Sequence, residues 1–199
     1  MFGYTSFFGI LAGIVSFSAY FFYMYAIIKG YTKPSRSTWF IWAFVGIITA
    51  FSYKASGAVD TLWVAISEAT APTIIALLAI KYGVGGLEKI DKIAFLGSTL
   101  SLILWWIFGS PLIALITNLA IDLFAAIPTI VKSWKKPEEE DRLAWSITQS
   151  GNLLNLFAID QFNFGVILYP IYTFTIDGII TALLFIPKKI KKQLQKYER

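Results

Sequence analysis

Apolar runs long enough to cross a bilayer recur seven times along this chain, and no other property narrows its fold as much. In hydrocarbon every backbone N–H and C=O must find a partner inside the protein, which leaves helices or closed barrels as spanning structures. A spanning helix needs about 20 apolar residues, or slightly fewer where the bilayer thins. The spans are placed at residues 6–28, 38–53, 61–80, 93–108, 112–131, 143–159 and 164–186. The second and fourth are short and are expected to extend by a turn at one end. Composition agrees: 57% of residues are hydrophobic and 15% charged, with a mean hydropathy of +0.66. About a quarter would be charged in a soluble domain.

The 199 residues contain no cysteine and no histidine. Disulfides and thiolate metal sites are excluded, and the commonest general base and metal ligand is missing. No cofactor and no metal are expected. The sequence pI near 9.3 could suggest nucleic acid, but the basic residues sit beside apolar spans, where they set topology. With seven spans, 16 of the 17 Lys and Arg fall on one side, and only Lys54 falls on the other. An excess of Lys and Arg marks the cytoplasmic side, so the N-terminus is expected outside and the C-terminus inside, in a plasma or inner membrane. Met1–Thr5 lacks a basic region and no small-residue cleavage site follows the first span, so that span is expected to be retained, unlike a signal peptide. The tail Lys188-Lys189-Ile190-Lys191-Lys192 is expected to lie against anionic lipid.

The chain also repeats itself. Ile27-Ile28-Lys29 and Lys33-Pro34 return 103 residues later as Ile130-Val131-Lys132 and Lys136-Pro137. Trp39 returns as Trp145, and Ala76-Leu77-Leu78-Ala79-Ile80 as Ala182-Leu183-Leu184-Phe185-Ile186, both at a spacing of 106. One three-residue insertion, placed at Glu138-Glu139-Glu140-Asp141, reconciles the two spacings. Each copy holds three spans, and a single reversing span between them makes the copies parallel. The expected fold is therefore an all-α membrane protein of seven transmembrane helices, two parallel three-helix repeats joined by a linker helix (3+1+3). The first repeat covers 1–83, the linker 84–109, the second repeat 110–187 and the basic tail 188–199. Trp105 and Trp106 have no counterpart in the repeat and read as an interfacial anchor.

The stretch Ala126-Ile127-Pro128-Thr129-Ile130-Val131-Lys132-Ser133-Trp134-Lys135-Lys136 resembles the PQ-loop signature, a Pro-Gln pair that ends the first helix of a repeat before a basic loop. That signature and the 3+1+3 layout belong to the SWEET sugar transporters, the cystinosin-type carriers and the Pnu-type vitamin transporters. Thr129 stands where the family has Gln, and the first repeat has Tyr25 in place of Pro128. The resemblance implies a solute site between two three-helix bundles near the midplane, with prolines that let the bundles rock. Pro128 is the residue that matches the signature proline. Pro72 and Pro170 lie inside the third and seventh spans, where a missing N–H kinks a helix, and join it as gating candidates.

Polar side chains inside the spans carry the remaining information. An acid at a helix centre costs about 2.5–3.5 kcal/mol to insert, so it usually faces a cavity or a partner. Glu68, Asp122 and Asp177 are so placed, with no basic residue deep in any span. That chemistry suits proton coupling or a cationic solute. Asn118 and Asp122 share a face of the fifth span; Thr173, Asp177 and Thr181 form a stripe on the seventh; Gln149, Asn152 and Asn155 lie within two turns of the sixth. In the second span Trp42, Gly46, Thr49 and Tyr53 share a face, with Gly46 opening space beside Trp42. The repeat pairs Gly46 with Asn152 and Thr49 with Asn155, as if two stripes lined one pocket. The expected solute contacts are Trp42, Thr49, Asn118, Gln149, Asn152, Asn155 and Thr173. Interhelical hydrogen bonding, worth about 0.6 kcal/mol on average, is the competing reading for the hydroxyls and amides. Trp42, Trp63 and Tyr172 are candidates for stacking on a solute ring.

Asp122 and Asp177 correspond to Ala19 and Ala71 in the first repeat, so the polar chemistry leans to the second half. The function these features imply is a small-solute transporter, for a sugar-like or other small polar metabolite, working by alternating access with proton coupling as an option. The alternative is a seven-helix receptor or scaffold that binds a small ligand or lipid without moving it. An opsin is excluded because residues 164–186 hold no lysine for a Schiff base. No enzymatic motif surrounds the acids. A homo-oligomer stays open.

Overall fold

The computed structural model describes residues 3–30, 33–34, 36–86, 89–135, 137 and 140–186, except for the side chains at 37, 38, 90, 91, 94, 125, 128 and 132. The basic tail and part of the acidic loop therefore lie outside the described residues, as does the side chain of Pro128. Seven helices follow one another: α1 (Tyr4–Ile28), α2 (Arg36–Ala55), α3 (Leu62–Tyr82), α4 (Lys89–Phe108), α5 (Pro111–Lys135), α6 (Arg142–Leu156) and α7 (Phe164–Phe185). Each expected span has its helix. The second and fourth begin earlier than expected, by two and four residues, as turns built on Arg36 and Lys89.

Among the described residues α1, α3, α5 and α7 are each long and apolar enough to cross a membrane. The outer surface carries large apolar side chains such as Phe21, Leu96, Trp106 and Phe124, more than half exposed. In water such a surface would aggregate; in lipid it is the natural one. These features describe a membrane protein. The apolar parts of α2 and α4 are shorter, and α6 is the shortest helix, with 15 residues and a rise of about 22 Å, less than a hydrocarbon core of about 30 Å. It ends three residues before the expected 159. It is the most polar of the helices in side chains, carrying Ser146, Thr148, Gln149, Ser150, Asn152 and Asn155.

Packing follows a regular order. In the first half α3 lies against both α1 and α2, and in the second α7 lies against both α5 and α6. The halves meet where α1 packs on α6 and α2 on α5, while α4 packs on α5 and α2. Small residues make the closest approaches. A Cβ at Gly9 would fall 2.0 Å from the Asp60 carbonyl oxygen, and one at Gly13 would fall 2.9 Å from Trp63 Cβ. This Gly-x-x-x-Gly face of α1 lets two backbones approach, which is how membrane helices associate without a hydrophobic driving force. Trp63, a stacking candidate, meets α1 here through its Cβ and backbone and stands away from the space between the two halves.

The two ends of the bundle are built differently. At one end the Thr5 and Ser6 hydroxyls donate to the two oxygens of Asp60, at 2.6 and 2.8 Å, pinning the start of α1 to the start of α3. The Tyr53 hydroxyl donates to the Val166 carbonyl at 2.7 Å, with the Thr61 hydroxyl 2.6 Å away, so α2 is tied to α7. The Tyr53 and Tyr169 rings lie 4.8 Å apart in a cluster with Ala12, Val64, Ala65, Leu115 and Leu119. At the basic end, the Arg36 Nε donates to the Ala79 carbonyl at 3.1 Å, and the Val84 N–H to the Pro34 carbonyl at 2.9 Å. Here Asp141 caps α6, accepting from the Leu143 and Ala144 N–H groups at 2.8 and 3.1 Å.

Candidate functional site

Between the halves lies a cavity of about 540 Å³, walled by α1, α2, α3, α5, α6 and α7. Of the residues described, α4 contributes none to the wall. The lining runs from Tyr169, beside the buried Tyr53, to Glu140 and the exposed Asp141 ahead of α6. The cavity thus stops at the tyrosine cluster and extends to the basic end.

All three mid-span acids stand on this wall. Each holds one donor from a neighbouring helix of its own half. Tyr20 on α1 donates through its hydroxyl to Glu68 Oε2 on α3. Tyr172 on α7 donates to Asp122 Oδ2 on α5 at 2.7 Å. The Asn152 amide on α6 donates to Asp177 Oδ2 on α7 at 2.8 Å, and lies 3.4 Å from the Thr173 carbonyl. The second oxygen of each carboxylate has no hydrogen-bond partner among the described residues. Among the described residues no Lys or Arg lies on the wall. The described residues hold no group of three or more acids placed to bind a metal ion.

The expected solute contacts divide. Trp42, Thr49, Asn152 and Thr173 are on the wall, and so are Tyr172 and Pro72. Asn118 is not. It is fully buried against α4, its amide donating to Ser101 Oγ and to the Ala114 carbonyl, both at 2.9 Å. Four residues of helix turn the chain by about 400°, so Asn118 sits about 40° round from Asp122. Ser101 on α4 captures it there. Gln149 is also off the wall, with its Nε2 donating to the Phe174 carbonyl at 3.3 Å beside Gly178. Asn155 is fully buried, and neither atom of its amide group has a hydrogen-bond partner. Pro170 is buried within α7 and does not reach the cavity. Pro128 lies in α5, its side chain outside the description.

Gly46 stands on the cavity wall with Trp42 and has a second role besides. A Cβ there would sit 2.8 Å from the Glu68 carbonyl oxygen, so its smallness also admits the α3 backbone to α2. Of the stripe on α2, Tyr53 belongs to the closed end and does not line the wall.

Several wall residues escaped sequence reasoning, among them Tyr20, Tyr23 and Ile176. Trp39 and Trp145 were in view as a repeat pair, and both prove to line the cavity. Trp39 meets Trp42 edge-on at 5.0 Å, and Trp145 Nε1 donates to Glu140 Oε2 at 3.1 Å. Two equivalent indoles on one central space were the available signal. The partnership of Tyr20 with Glu68 left no such trace, since it depends on how α1 and α3 pack.

No family model, no curated protein and no solved structure matches this chain.

Proposed function

We propose that the chain is a small-solute carrier of the PQ-loop type, two parallel three-helix bundles and a linker helix working by alternating access. One observation carries the reading: a cavity of about 540 Å³ between the halves gathers Glu68, Asp122 and Asp177, closed at one end and reaching the loops at the other. The packing order supports the repeat, since α3 sits between α1 and α2 as α7 sits between α5 and α6. The absence of α4 from the wall supports its role as a linker. With the basic loops in the cytoplasm, the conformation is the inward-facing one, and the Tyr53–Val166 bond is part of the outer gate.

Because each acid takes its donor from its own half, the halves can move without breaking these bonds. Asp122 or Asp177 can then carry a proton through the cycle. The test is uptake by the full chain in proteoliposomes with the small solutes it binds. Saturable flux supports the carrier; saturable binding without flux gives the receptor or scaffold reading instead. In the Asp122→Asn, Asp177→Asn double variant, uptake that kept its wild-type rate and pH dependence would end the proton-coupling proposal.

A further inference from the structure

The wall of the cavity is chemically one-sided, and this bears on what it holds. Five carboxylates line it: Glu68, Asp122 and Asp177 inside, Glu140 and Asp141 towards the basic end. Among the described residues no Lys or Arg lines the wall beside the three inner acids. The amides that a polyhydroxylated neutral solute would need are largely elsewhere. Asn118 is bonded to α4, Gln149 to the α7 backbone, and Asn155 is buried off the wall, while Asn152 is engaged by Asp177. What remains on the wall is mostly aromatic, above all Trp39, Trp42, Trp145 and Tyr172, with Thr129, Thr148 and Thr173 between them. Thr49 joins them, buried with 8% of its surface exposed, its hydroxyl without a hydrogen-bond partner among the described residues.

Indole faces attract cations through the ring quadrupole, by about 0.5–1 kcal/mol when exposed and about 2 or more when desolvated. A carboxylate held away from water must take up a proton or meet a counter-charge, and a bound cation supplies the second. The two requirements meet in one ligand class. We infer that the solute of this cavity is an organic cation, an ammonium-type centre carried on an apolar or aromatic body. The cationic centre sits among Glu68, Asp122 and Asp177, which offer their unpaired oxygens, and the body lies against the tryptophans. Thr49 offers its hydroxyl to any polar substituent. This inference rests on the carrier reading for the word solute, but the ligand chemistry stands on the wall alone.

The experiment uses the full chain in lipid nanodiscs at one fixed pH, with tryptophan fluorescence and thermal unfolding as readouts. The probes are choline, tetraethylammonium and phenethylamine, set against 3,3-dimethyl-1-butanol as the uncharged isostere of choline, and against glucose and sucrose. At least one cation is expected to quench fluorescence saturably, and to bind about tenfold or more tightly than the uncharged isostere or the sugars. Quaternary and protonated probes separate recognition of charge alone from recognition of an N–H donor. Asp122→Asn and Asp177→Asn should each weaken the cation by about tenfold. If a variant does not fold, the comparison of cation with isostere in the unaltered protein still decides. Equal binding of choline and its isostere, tighter binding of a sugar, or no cation binding up to about 10 mM overturns the inference. Cation binding without flux in proteoliposomes leaves it standing and removes the carrier reading; uptake of a neutral solute with no cation binding does the reverse.

Discussion

At the scale of single residues, the cavity rests on three carboxylates and their donors. Asn152→Ala removes the amide that orients Asp177, and is expected to weaken solute binding by about tenfold while shifting stability by only about 0.6 kcal/mol. Titration by tryptophan fluorescence alongside thermal unfolding separates the two effects. Asn118→Ala should do the opposite. It cuts the bond to Ser101 between α4 and α5, lowering stability by about 1 kcal/mol and leaving solute affinity unchanged. This contrast also marks what the sequence could and could not reveal. Acids inside apolar spans stand out because their cost demands a reason, so Glu68, Asp122 and Asp177 were legible. Amides are ambiguous because they serve helix contacts equally well, and nothing in the sequence sets the rotation of α5 against α4. Tyr20 was invisible for a related reason: tyrosine is common in membrane helices, and its partner lies 48 positions away.

Secondary structure elements were far more legible than their contacts. Each of the seven helices matches an expected span, although α6 is too short and polar to follow from apolar length alone, and two of the shortest spans gained basic turns because Arg36 and Lys89 can reach the interface. The boundaries that differ most are the start of α4 and the end of α5, by four residues each; α6 ends three residues early, where Phe157 N–H turns back to the Leu154 carbonyl at 3.1 Å. Between elements, glycine decides. Gly13→Leu would force its side chain into Trp63 and separate α1 from α3, at a cost of about 1–3 kcal/mol. A lower unfolding midpoint and a poorer yield of monodisperse protein are the expected signs. Gly3→Ala is the control, because a Cβ there meets nothing nearer than the Thr5 and Ser6 hydroxyl oxygens at 3.8 Å, an ordinary contact, and the midpoint should hold.

For the whole molecule, the chain supplies its own labelling background, since it contains no cysteine. Ala144→Cys places a thiol on the cavity wall near Asp141. A membrane-impermeant maleimide should reach it from the side of the basic loops and react slowly from the other. Adding Tyr53→Phe removes the bond to Val166, worth about 1 kcal/mol, and should raise labelling from the slow side by roughly fivefold. Unchanged labelling would mean that the tyrosine cluster does not hold that end shut.

The two seams between the halves are not alike. On α1–α6 a Cβ at Gly151 would lie 2.2 Å from Ser16 Oγ and 3.2 Å from the Ala12 carbonyl, so these helices touch backbone to backbone. The internal repeat, at offsets of 103 and 106, maps Gly151, Ser16 and Ala12 onto Val45, Leu119 and Leu115 of α2 and α5. There the same positions hold branched side chains, all buried. In a carrier, the first edge would serve as a hinge and the second as a latch. Spin-label distances measured across α2 and α5 should broaden and shift on solute binding, while those across α1 and α6 stay fixed. Motion in this protein would then be a one-sided swing, with its asymmetry written in three pairs of repeat-equivalent residues.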